Sequence, residues 1–113
     1  MELSANSAKE IISRGKEYFI VFLKKGVKYS IDKNAEEKIQ LEHVLYMLGL
    51  RQEGVLVING PIVDESNIRE IEIFNLQNKE DVIDLLESDP IIVSQKLTYE
   101  IHPWFGFPGD TLP

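Results

Sequence analysis

The chain carries two histidines, His43 and His102, and no cysteine, so the side chains able to exchange a proton near neutral pH can be weighed one at a time. His43 lies in the run Leu41-Glu42-His43-Val44-Leu45-Tyr46-Met47, where a helix would set it beside Tyr46 and Met47 in a partly desolvated position. An imidazole there is suited to act as a general acid or base; the alternative is a half-buried helical histidine bonded to a neighbour. Asp89 stands between Ser88 and Pro90, just past an expected helix end. An Asp in such a turn often bonds its own backbone. If it instead reaches His43, it supplies the orienting carboxylate that fixes the ring's tautomer and raises its basicity; spacing alone leaves that distance open. His102, next to Pro103, reads as structural or surface. Gly60-Pro61 reads as a strand-ending turn whose amides could bind an anion. Arg69 shares strand parity with Ile71 and Ile73, and is either a ligand-binding cation or a strand-end surface charge. Tyr46, Gly60, Pro61 and Arg69 are the candidate substrate contacts around His43 and Asp89.

Other chemistries have little support. There is no Gly-rich phosphate loop, no G-x-S-x-G elbow and no pair of His at metal-ligand spacing, so neither cofactor nor metal is expected; a His-plus-carboxylate metal site is the alternative left open, without specific support. The lack of cysteine excludes a disulfide framework, a thiol nucleophile, a Cys-type zinc site and an iron–sulfur cluster. Twelve Lys and Arg against nineteen acids give a net charge of −7 and a pI near 4.8, the wrong sign for a general nucleic-acid binder. Nine acids against Arg69 and Lys79, all between Asp64 and Asp89, account for that whole charge; the segment is expected to be a solvated helix face and loop. No apolar stretch approaches the roughly 18–20 residues of a membrane span, and the N-terminus lacks a basic and then apolar leader pattern. The expectation is a soluble, cytoplasmic protein without nucleic-acid or membrane partners.

These residues need elements to position them. A chain of 113 residues, 43% hydrophobic, buries one core and forms one domain. Residues 1–17 read as a short helical extension and 18–23 as a first strand, apolar on both faces and ended by Lys24-Lys25-Gly26. Asn34, followed three residues later by Glu37, has the form of an N-cap with an N3 acid, and apolar residues then recur at helical spacing over 35–52. Leu41, Val44, Leu45 and Leu48 fall on one side of that helix; Ile39, His43, Tyr46, Met47 and Leu50 fall on the other. Gly54 stops it, 55–58 is a second apolar strand, and Asn59-Gly60-Pro61 breaks the strand. A third strand is expected over 68–76. Asn78, with Glu80 and Asp81 after it, should cap a short helix ending near Glu87. A fourth strand runs over 97–104, and 105–113 is an irregular tail.

The order βαββαβ over 18–104 is that of the ferredoxin-like α+β fold: a four-stranded antiparallel sheet with two helices on one face. The first and second strands are apolar on both faces, so the second face of the sheet needs a cover. A second copy of the chain, sheet against sheet, makes a homodimer; the alternative is that the extension or the tail folds over that face.

The stretch LEHVLYMLGLRQEGVLVINGPIVD, then ESDPIIV and a last strand ending YEIHPW, resembles the YCII-related (YciI-like) family. The shared pattern is a His on the first helix, an apolar position soon after it, a Gly opening the second strand, a Gly-Pro closing it, and an Asp-Pro after the second helix. Here these are His43, Leu45 and Leu48, Gly54, Gly60-Pro61 and Asp89-Pro90. Gln40 stands where members often carry an Arg, and Ser94-Gln95-Lys96 where they often have a Gly-containing turn. The resemblance implies a dimeric α+β barrel with facing sheets and an active-site pair at His43 and Asp89. It also implies a small lyase or isomerase-like enzyme that moves a proton on a small polar or aromatic substrate. The competing expectation is a dimeric module that binds or senses a small molecule without turnover; a purely structural, partner-binding domain is a third.

Overall fold

The computed structural model describes residues 2–30 and 33–113, with backbone only at 33–35. The elements are α1 (Ala5–Ser13), β1 (Lys16–Lys25), α2 (Lys33–Gln52), β2 (Leu56–Pro61), β3 (Ile68–Phe74), α3 (Lys79–Glu87), α4 (Pro90–Val93) and β4 (Leu97–Gly106). The four strands form one antiparallel sheet in the order β2-β3-β1-β4, the ferredoxin-like arrangement that the element order predicts. β1 is central because it is apolar on both sides. Val21 and Leu23 join the buried core with Phe19 against it, while Tyr18 and Phe22 on the opposite face meet Trp104 and His102. Val21 and Leu23 pack with Met47 and Leu50 of α2 and with Leu86 of α3.

Of the two apolar sides of α2, the one carrying His43 wins the core. His43, Met47 and Leu50 are buried, and Leu41, Leu45 and Leu48 are exposed. The helix begins at Lys33 rather than 35, and the cap expected at Asn34 lies outside the described side chains. α3 starts after Asn78 as expected, but the Asn78 side chain makes no capping bond.

Among the boundaries that differ from the sequence reading, three have a local reason. β2 continues through Asn59-Gly60-Pro61, with Gly60 opposite Ile71 and Pro61 opposite Glu70; it is an edge strand, where a missing N–H costs little. β4 extends to Gly106, so that Phe105 and Gly106, expected in the tail, pair with Glu17 and Lys16. Ser88-Asp89-Pro90 does not simply end a helix. Asp89 caps a further short one, its side chain accepting the Ile91 N–H with Pro90 in the first turn, a position where proline is favoured.

On the face away from α2–α4, Ile20, Phe22, Ile71 and Ile73 are only half-buried. Phe107, Gly109 and Asp110 lie beside Ile58 and Ile73, and Leu112 beside Ile71, so the tail covers the β2 side of this face and leaves the rest open. α1 is closed by a capping box between Ser4 and Ser7 and buries no residue.

The turn before β4 is held by β1's end. Gln95 adopts a left-handed backbone, φ 64°, which a non-glycine residue keeps only when its surroundings enforce it. Lys28 N–H donates to the Gln95 carbonyl and Gly26 N–H to that of Lys96, each at 2.9 Å. A Cβ at Gly26 would stand 2.3 Å from the Gln95 carbonyl oxygen, an impossible approach to backbone. Gly26→Ala is expected to cost about 1–3 kcal/mol of stability, read as a lower urea midpoint; an unchanged midpoint would show that the turn is not clamped there.

Candidate active site

Three elements converge on one imidazole. α2 delivers His43, β3 delivers Glu70 and Glu72 on its helix-facing side, and the turn between α3 and α4 delivers Asp89; all four are buried. His43 Nδ1 is 2.7 Å from Asp89 Oδ2, and His43 Nε2 is 2.8 Å from Glu70 Oε2. A neutral ring would turn one lone pair against a carboxylate, whereas an imidazolium donates from both nitrogens, and these lengths are those of charge-assisted bonds. Burial alone would lower the ring's affinity for its proton. The hydrogen bonds to Asp89 and Glu70, with their charges, outweigh it and push His43 up to about 10. Asp89 is fixed in turn, because its other oxygen, Oδ1, accepts the Ile91 N–H at 3.0 Å. It therefore bonds its own turn and His43 at once.

Glu72 completes the cluster. It is 1% exposed, and its Oε1 has no hydrogen-bond partner among the described residues. Burial, then the negative charge of Glu70 and Asp89, push it up to about 8 against the opposing pull of His43. At neutral pH the cluster is thus an imidazolium between two carboxylates with a neutral acid beside it. Tyr46 is raised by burial and then by the charge of Asp89 and Glu72. His43, Glu72 and Asp89 present ligand atoms within 4.8 Å of one another, close enough for a small cation. Such an ion would need a ring-nitrogen lone pair, and with it the loss of the His43 bond to Asp89 or to Glu70; with both bonds intact, a proton fills each position.

Beside the cluster is a cavity of about 170 Å³, lined by Tyr29, Glu36, Gln40, Pro61, Arg69, Glu70, Ile91, Lys96 and Leu97. Pro61 and Arg69 reach this cavity, while Gly60 and Tyr46 are not among its walls. Gly60 borders a separate apolar hollow with Ile71 and Ile73, and the Tyr46 hydroxyl donates to the Leu85 carbonyl at 2.7 Å. The Arg69 guanidinium donates to the carbonyls of Ile62, Asp64 and Ser66, so it closes the β2–β3 loop. His102 is exposed and bonded to Glu100 at 2.8 Å, an ionisable partner two residues away.

Glu70, Glu72 and Lys96 were missed. The acid-rich segment from Asp64 to Asp89 is not all solvated, because three of its nine acids are in the core. The strand Ile-Arg-Glu-Ile-Glu-Ile-Phe reads most simply with Ile inward; the structure puts Glu70 and Glu72 inward and Ile71 and Ile73 on the open face. The surplus apolar face of β1 was the signal, since its neighbours on that face must also be apolar.

The fold and this site define a ferredoxin-like α+β domain with a buried histidine–carboxylate centre. No family model and no curated protein matches the chain. Among solved structures it resembles 5-chloro-2-hydroxyhydroquinone dehydrochlorinase from Burkholderia phenoliruptrix AC1100, in complex with 2,5-dihydroxybenzoquinone. The TM-score is 0.60 at 14% identity, over 77% of this chain and 92% of that one. It also resembles muconolactone isomerase, with a TM-score of 0.61 at 14% identity, over 85% of this chain and 96% of that one. At this identity the likeness shows the fold. Among the described residues, no helix is long and apolar enough to cross a membrane.

Glu72 and His43 both hold a proton more tightly folded than unfolded, so stability falls as pH rises. Glu72 contributes to the fall between 4.5 and about 8, and His43 between 6.5 and about 10. Urea midpoints of the wild type are expected to decline from pH 5 to 9.5. Glu72→Gln should flatten the decline below pH 6.5 and be the more stable protein at pH 9. A wild-type midpoint that is level or rises over this range would contradict the assignment.

Proposed function

We propose that this chain is a small-molecule enzyme of the lyase or isomerase kind, whose buried centre at His43 and Asp89 serves proton transfer on a ligand in the adjacent cavity. The observation that carries this reading is the continuous bonded chain Asp89–His43–Glu70, of which Glu70 is a wall of that cavity. Asp89 holds the ring and stabilises the imidazolium, and the low-dielectric surroundings keep a proton in store beside the ligand. The reactions of the two similar structures, a dehydrochlorination and a lactone isomerisation, both fit such a centre. The working unit is a homodimer joined through the open face of the sheet, where Ile20, Phe22, Ile71 and Ile73 are left half-covered; light scattering should return twice the 13.0 kDa of one chain.

A non-catalytic binding module is the competing reading, favoured by one fact: His43 is fully buried and cannot itself touch a ligand. Solvent exchange separates the two. In deuterium oxide the wild type is expected to catalyse exchange of carbon-bound hydrogen in a small enolisable compound from a panel of hydroxyquinones, hydroxyhydroquinones and lactones, followed by proton NMR. His43→Gln and Asp89→Asn should each lower that rate roughly a hundredfold or more. Binding of panel members with no exchange above the buffer rate would establish the binding module instead.

A further inference from the structure

We infer that Glu70 is the side chain that meets the ligand, and that Lys96 holds an oxyanion of that ligand, a single-ring hydroxylated or carboxylated compound. The inference rests on the proposed proton-transfer reading and assigns its two contact residues. Of the four buried groups, Glu70 alone is a wall of the cavity, while His43, Glu72 and Asp89 lie behind it. His43 and Asp89 are then positioning residues, and the residue that touches the reacting atoms is Glu70.

The cavity's chemistry selects the ligand. Its volume of about 170 Å³ is near the ~150 Å³ of an engineered cavity that accepts benzene, so one ring with small substituents fills it. Pro61, Ile91 and Leu97 give it apolar walls. Two cations reach it, and they differ in what they have left to offer. Arg69 donates to three backbone carbonyls. Among the described residues, Lys96 has only a long ion pair, 3.8 Å, with Glu36, and its side chain is 15% exposed. Lys96 also sits on a turn built to hold it, after Gln95 in its left-handed backbone and with its own carbonyl taken by Gly26.

The proton step balances without any other reactant. The His43 Nε2–H bond breaks as a Glu70 O–H bond forms, leaving a neutral ring whose Nδ1–H still donates to Asp89. The Glu70 O–H bond then breaks as the ligand gains the proton at carbon or at a leaving oxygen. In the reverse direction Glu70 takes a proton from a ligand carbon, and the electron pair of that C–H bond moves into the ring's oxygen. Lys96 stabilises that oxyanion.

The test uses 2,5-dihydroxybenzoquinone as the probe, with binding followed by its visible absorption and hydrogen exchange at its ring carbons followed by proton NMR in deuterium oxide. Wild type is expected to bind and to exchange. Lys96→Gln should weaken binding at least roughly tenfold and, because the oxyanion loses its cation, also slow exchange at saturation. Glu70→Gln should bind within about threefold of wild type yet exchange roughly a hundredfold or more slowly. Glu70→Asp, which keeps the charge beside His43, repeats the test should the Gln variant lose its native circular dichroism. Wild-type affinity in Lys96→Gln, or no binding of the probe to wild type, overturns the ligand assignment. Wild-type exchange in both Glu70 variants, with exchange lost in His43→Gln, overturns the role of Glu70 and leaves the proton-transfer reading standing. Binding without exchange by the wild type overturns both.

Discussion

An imidazolium clamped between two carboxylates is the interaction on which the rest of this molecule depends. His43 is fully buried, and its bonds to Asp89 and Glu70 join three elements that are far apart in sequence: α2, β3 and the α3–α4 turn. Breaking one member of such a set leaves an unpaired buried charge, which typically costs about 3–5 kcal/mol. The clamp therefore fixes the seating of α2 on the sheet and the position of α4 together. It also explains why Asp89 serves two partners, since the oxygen that caps Ile91 orients the one that holds the ring.

The clamp is bought at a local cost in Glu72. A third acid packed beside two carboxylates stays neutral near pH 7, with one oxygen unpartnered among the described residues, and it makes the core more stable in acid than in base. A hydrophobic residue of similar size would pack there without that penalty, so stability alone does not account for the residue. Glu70 differs from Glu72 in reaching the cavity, and the two sit two residues apart on one strand, so that the same face of β3 supplies both the ligand-facing acid and the charge environment behind it.

The element order and the antiparallel sheet were legible because each rests on a strong local signal. The alternation in 97–104, the helical spacing after Asn34 and the Ser-Asp-Pro turn are examples. The pairing of His43 with Asp89, in contrast, was implied only by the family resemblance, their spacing leaving the distance open. Glu70 and Glu72 were not legible, because their inward orientation is decided by the sheet's second face rather than by their own strand. Apolar demand on that face, set by Ile20 and Phe22 of β1, draws Ile71 and Ile73 outward and turns the glutamates in. Lys96 was hidden for a different reason: its place at the cavity follows from a left-handed residue and from backbone bonds to Gly26 and Lys28, contacts between segments about 70 residues apart in sequence. The strand through Gly60-Pro61 was misread because turn chemistry in sequence looks the same at an edge strand as at a true break.

The central claim is the charge state of one ring, and nitrogen NMR of the His43 side chain reads it directly. With the ring nitrogens labelled, His43 is expected to show both nitrogens protonated at pH 8 and to keep that state to about pH 9, while the exposed His102 serves as the internal comparison. A His43 ring with one unprotonated nitrogen at pH 7 would contradict the account, because an uncharged imidazole cannot donate to Asp89 and Glu70 at the same time.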